Sequence, residues 1–106
     1  MSPLKDENTD KSQKLKAEDY CVEFRILAKI YEYTEIKKKP IWFSRLVYCF
    51  RGKIFRNEIS KAEDRLYHWG IIDKKYKDAE GLWTCCYLIE DEAVDFARML
   101  YEKINL

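Results

Sequence analysis

The run of residues 57–89, NEISKAEDRLYHWGIIDKKYKDAEGLWTCCYLI, constrains the fold more than any other part of the chain. Ile59, Ala62, Leu66 and Trp69 recur at the spacing that gives a helix one apolar face. Gly70 follows where helices commonly stop, because glycine enters the left-handed region without steric cost. Ile71 and Ile72 begin a β-branched run, residues 74–77 are basic, and residues 78–81 (DAEG) carry turn formers. An alternating segment comes next, with Leu82, Thr84, Cys86 and Leu88 on one side and Trp83, Cys85, Tyr87 and Ile89 on the other. The pattern predicts a helix that feeds directly into a two-stranded hairpin.

The rest of the chain supplies support for that unit. Residues 1–16 are polar, mixed in charge and without pattern, and are expected to form a disordered tail. Over residues 17–34, Tyr20, Phe24, Leu27 and Tyr31 lie on one helical stripe, widened by Ala28 and Ile30. Pro40, after three lysines, breaks this helix and opens a second over residues 41–50, with Ile41, Leu46, Val47, Cys49 and Phe50 expected to be buried. Trp42, Phe43 and Tyr48 make the second helix apolar nearly all round; they pack on the hairpin or meet a second copy. Gly52 ends it. Ile54 and Phe55 form a short apolar link, and in winged helices the matching link often pairs with the wing as a third strand. Asn57 is the better N-cap for the third helix, because its side chain can accept a backbone N–H. Glu90, Asp91 and Glu92 suit the start of a final helix, whose stripe is Ala93, Phe96, Ala97, Leu100 and Ile104. The expected architecture is α+β: a winged helix over residues 17–106, with a three-helix helix-turn-helix core, a two- or three-stranded wing and a C-terminal helix.

With 106 residues, of which 47% are hydrophobic, there is material for one domain and not two. No apolar run approaches the roughly 18 residues of a membrane span, and the first residues lack the apolar centre of a secretory signal. A cytoplasmic chain is expected, nucleoid-associated if it binds DNA. Cys21, Cys49, Cys85 and Cys86 have neither C-x-x-C nor zinc-site spacing, and Cys85 and Cys86 point to opposite faces of one strand. They are expected to be reduced. His68 is the only histidine and Gly52, Gly70 and Gly81 stand alone, so no metal site, cofactor loop or catalytic arrangement is expected, and no enzyme.

A net charge of +1 hides a strong asymmetry. Residues 36–77 hold twelve Lys and Arg against four Asp and Glu, whereas residues 78–106 hold two against seven. A basic middle is what a chain needs to meet a polyanion on one face, although clustering in sequence need not survive folding. The third helix presents Asn57, Ser60, Lys61, Asp64 and His68 opposite its apolar stripe, with Arg56 at its start. Side chains of this kind can hydrogen-bond base edges in a major groove, and Lys61 is the best placed. Glu58, Glu63 and Asp64 would lie near phosphates unless turned away. Lys74, Lys75 and Lys77 on the wing suit phosphate contacts, which need charge more than geometry; lysines there also discourage edge-to-edge strand pairing.

The runs ISKAEDRLYHWGIIDKK (residues 59–75) and GLWTCCYLIEDEA (residues 81–93) resemble the winged helix-turn-helix transcription regulators of bacteria and archaea, of the multiple-antibiotic-resistance and phenolic-acid-repressor types. Leu66, Gly70, Ile71 and Ile72 match the family's helix end and hydrophobic pair, and Asp64-Arg65-Leu66 looks like its aspartate-arginine-leucine. Glu90 stands where the family usually has a threonine cap, and Asp78 and Glu80 replace an arginine-rich wing tip. The resemblance implies operator DNA as partner and a homodimer, often joined through terminal helices; here the final helix either caps the domain or forms that interface. The alternative use of such a domain is as a protein-protein interaction module in a transcription or chromosome-maintenance complex, which the exposed aromatics would serve.

Overall fold

Ten residues, Val22–Tyr31, form helix α1, and its sequence VEFRILAKIY buries more than one stripe. Ile26, Leu27, Ala28, Ile30 and Tyr31 are all buried, so α1 is enclosed rather than laid on a surface. It begins at Cys21, whose extended backbone (φ −65°, ψ 161°) directs its carbonyl to the amide of Arg25 at 3.1 Å. The chain is seen in a computed structural model that describes residues 17–79 and 82–104, with side chains described outside 77–84. The tail expected over residues 1–16 lies outside the described residues.

The first helix does not start at residue 17 as a single element. A 3-10 turn, Ala17–Asp19, precedes α1, and a π-helical turn, Glu32–Ile36, extends it past Thr34. The Thr34 hydroxyl donates to the carbonyl of Ile30 at 2.9 Å, a back-bond that bends helices. Lys38 then takes a left-handed conformation (φ +56°), and the amides of Lys37 and Lys39 cap the carbonyls of Glu32 and Tyr33, both at 2.9 Å. Pro40 prevents any continuation.

Residues 41–42 are extended and meet the hairpin. The amide of Tyr87 donates to the carbonyl of Ile41 at 3.0 Å, and Trp42 forms a single antiparallel bridge with Cys86. The third strand expected at Ile54 and Phe55 is therefore misplaced: sheet-like pairing comes from before α2 (Phe43–Cys49), not after it. The hydrogen bonds of the 54–55 link go to helices instead. The Ile54 amide donates to Phe50 at 3.0 Å with its side chain in the core, and the Phe55 carbonyl accepts from Glu58 and Ile59 at 3.0 and 3.1 Å. That makes Phe55, extended at φ −72° and ψ 150°, the N-cap of α3 (Arg56–His68); Asn57 lies inside the helix. Gly52 (φ +80°) turns the chain between α2 and α3.

Of the expected stripe on α3, Ile59, Ala62 and Leu66 are fully buried while Trp69 is 57% exposed. The helix has ended by then. Gly70 (φ +76°) bends the chain, the Ile71 amide returns to the Leu66 carbonyl at 3.0 Å, and Ile72 takes the next core position. Strand β1 (Ile72–Ala79) pairs antiparallel with β2 (Leu82–Ile89), from Ile72 opposite Ile89 to Ala79 opposite Leu82; the turn tip at residues 80–81 lies outside the described residues. A 3-10 turn, Asp91–Ala93, leads into α4 (Val94–Ile104), which packs on α1 through Ala97 and Leu100 and two ring pairs, Phe24–Phe96 and Tyr31–Tyr101, each 5.4 Å apart. The architecture is α+β: among the described residues, four α-helices and a two-stranded antiparallel sheet surround one core. Among the described residues no helix is long and apolar enough to cross a membrane.

The two ends of the α3 stripe should respond unequally to truncation. Leu66→Ala is expected to cost about 2–5 kcal/mol of stability, and Trp69→Ala about 0.5 kcal/mol or less, in urea unfolding of the two variants beside the wild type.

Candidate nucleic-acid interface

Because Ile59, Ala62 and Leu66 fix one side of α3 in the core, Asn57, Ser60, Lys61, Asp64 and His68 necessarily face outward, and all five are exposed. Arg56 is exposed too, with its guanidinium 4.9 Å above the Phe43 ring. Six of the nine candidate residues thus share one continuous helix surface. Arg65 reaches away from it and pairs with Glu23 of α1. Burial works against the Glu23 charge, but its backbone hydrogen bond and the Arg65 guanidinium outweigh that and hold the carboxyl below its usual range. At the far end, His68 Nδ1 lies 2.8 Å from the Asp64 carbonyl and 3.5 Å from Asp64 Oδ1, which occupies one of the acids on this face.

Glu63 behaves differently from its neighbours Glu58 and Asp64. It is the one buried charged residue among those described, turned toward the hairpin, with the Lys74 ammonium 2.6 Å from Oε2. The same ammonium stands 4.6 Å from the centre of the Tyr67 ring. Partial burial opposes the charge on Lys74, yet contact with Glu63 prevails and its pKa is raised. Lys74 therefore ties β1 to α3 and is not a free cation for phosphate. Strand alternation separates it from the other two wing lysines: Lys74 sits opposite Tyr87, Lys75 opposite Cys86 and Lys77 opposite Thr84. Lys75 is exposed on the face away from α3, and the side chain of Lys77 lies outside the described residues.

Cations absent from the sequence-based site lie next to it. Tyr48, 56% exposed on α2, holds the guanidinium of Arg45 at 5.5 Å and that of Arg51 at 4.9 Å from its ring centre. Lys53 is exposed in the turn that follows. The signal for this group is present in sequence as the spacing Arg45-x-x-Tyr48-x-x-Arg51, in which Arg45 and Tyr48 share one side of α2 and Arg51 follows just past its end, but it is masked by the apolar character of the segment. Tyr48 is an outward platform for arginines, not a core residue.

The cysteines are all free thiols: Cys21 exposed, Cys49 and Cys85 half-buried, Cys86 buried. Burial pushes the Cys85 thiol up, away from thiolate character. Among the described residues no three His, Cys, Asp or Glu side chains converge to hold a metal. No protein-family model, curated protein or solved structure matches the chain.

The Glu63–Lys74 pair should show in stability. Lys74→Met leaves a buried carboxylate without its partner and is expected to cost about 2 kcal/mol at neutral pH. A lysine raised in the folded state contributes fully below its ordinary pKa of about 10.4 and loses that contribution as pH climbs through the folded-state value. The stability gap between wild type and variant, measured by urea unfolding from pH 7 to pH 11.5, should accordingly narrow at the alkaline end.

Proposed function

We propose that this chain is a winged helix that binds double-stranded DNA and acts in transcription regulation, not an enzyme. The order of elements supports the fold assignment: three helices, an extended 41–42 segment bonded to the hairpin's second strand, the hairpin itself and a closing helix. One observation carries the functional reading. From α2 into α3 the cations Arg45, Arg51, Lys53, Arg56 and Lys61 are all exposed, none has an ion-pair partner among the described residues, and Glu58 is the one acid in residues 45–61. Exposed cations without carboxylate partners suit contacts to a phosphate backbone flanking a groove. Asn57, Ser60 and Lys61 would then meet base edges, while Arg45, Arg51 and Arg56 hold phosphates.

The expected dimer would use the outer side of α4. Its apolar stripe is spent on α1, leaving Arg98, Met99 and Glu102 exposed. A second reading, a protein-interaction module, is favoured by a specific feature: Phe55 is 77% exposed at one end of α3 and Trp69 57% at the other.

Binding to mixed-sequence duplex DNA, followed by anisotropy across a salt series, separates the two. Each phosphate contact contributes about −0.9 to the slope of log K against log salt. Replacing Arg45, Arg51 and Arg56 by alanine together should flatten the slope by as much as about 2.7, and Lys61→Glu should lower affinity by at least about tenfold. Absence of binding by the wild type at low salt would retire the DNA reading and leave the Phe55–Trp69 surface as the place where a protein partner docks.

A further inference from the structure

On the face of the hairpin turned away from α3 lies a cleft of about 280 Å³, lined by Thr34, Lys38, Lys39, Pro40, Lys75, Cys86, Tyr87 and Leu88. Its three lysines come from two segments far apart in sequence, the connection between α1 and α2 and strand β1. They are brought together by the hydrogen bond from Tyr87 to Ile41 and the Trp42–Cys86 bridge, which fasten that connection to β2. No carboxylate lines the cleft, and none of the three lysines has an ion-pair partner among the described residues. Asp73, on the Lys75 face of β1, directs Oδ1 back to the Lys74 amide at 2.7 Å.

Lysines that line one hollow from two segments offer positive charge to an anion that enters it, and an anion there relieves their mutual repulsion. At this size the cleft falls just below the roughly 300–1,000 Å³ of organic-ligand pockets. Lysines act as compact point charges and suit a phosphate, where bidentate arginine geometry is not needed. We infer that the cleft formed by Lys38, Lys39 and Lys75 is a phosphate-binding site and that it takes a backbone phosphate of duplex DNA; this assignment of the occupant rests on the DNA reading above. The wing thereby contacts DNA through its outer face together with the α1–α2 connection, and the wing's contribution includes residues 38 and 39. Lys38 is held in place by its left-handed backbone, which turns residues 38 and 39 across the end of the helix.

The test uses the full chain and the combined variant Lys38→Gly/Lys39→Ala/Lys75→Ala, glycine at 38 preserving the left-handed turn. In the duplex salt series the variant should have a slope shallower by up to about 2.7, with the loss additive to that of the Arg45/Arg51/Arg56 variant. Amide resonances of Thr34, Cys86 and Leu88 should shift on adding DNA to the wild type and stay in place in the variant. If the wild type binds DNA and the variant's slope and affinity are unchanged, the cleft is not a phosphate site and the DNA reading survives. If the wild type does not bind DNA at low salt, the occupant named here is wrong. Inorganic tripolyphosphate then decides the site itself: saturable shifts of the same amides, abolished in the variant, keep an anion site, and their absence overturns it.

Discussion

Enclosure of α1 is the constraint on which the other elements depend. Ile26, Leu27 and Ile30 have no exposed surface, and that holds only because α2, α3, α4 and β2 all pack against the same ten residues. Each neighbour brings a different chemistry to it. Helix α4 offers rings and small residues, α3 offers Ile59 and Leu66 with the Arg65–Glu23 pair at the margin, and β2 offers Tyr87 and Ile89. Burying side chains of this size contributes on the order of 1.5–3 kcal/mol each, so the orientation of α3 is set by the interior and the outward residues follow from it.

Charge is sorted along with apolar surface. Glu23, Glu32 and Glu63 each hold a cation from another part of the chain or a neighbouring turn, in the pairs with Arg65, Lys29 and Lys74. These three acids are drawn inward or into pairs, and the unpaired charges from α2 to the start of α3 are cationic apart from Glu58. A chain with a formal charge of +1 therefore shows basic surfaces without an excess of basic residues. Glu63 is the clearest case: left on the outer face it would repel a phosphate, and turned inward it secures the hairpin to the helix.

Periodicity is enough to find elements whose residues have one environment. Ile59, Ala62 and Leu66, the stops at Gly52 and Gly70, and the alternation of the hairpin are all legible in this way. It fails where a residue has a choice of environment. Trp69 continues the helical spacing numerically but lies past the end of the helix, and Ile54, apolar and short of neighbours in sequence, plugs the core without joining a sheet. The exposed face of α3 is readable because its opposite face is. The Arg45–Tyr48–Arg51 platform, the burial of Glu63 and the meeting of Lys75 with residues 38 and 39 are not, since each depends on which segment lies alongside.

Arginine side chains on a protein surface ordinarily sample many rotamers, and fixing one costs about 0.5–1.5 kcal/mol when an interface forms. Here Arg45, Arg51 and Arg56 already rest on Tyr48 and Phe43. Their guanidinium carbons lie 4.9–5.5 Å from the ring centres, within cation–π reach, while all three residues stay exposed to water. Part of the ordering entropy is thus met during folding. An oxyanion reaching this surface meets donors whose positions are set in advance.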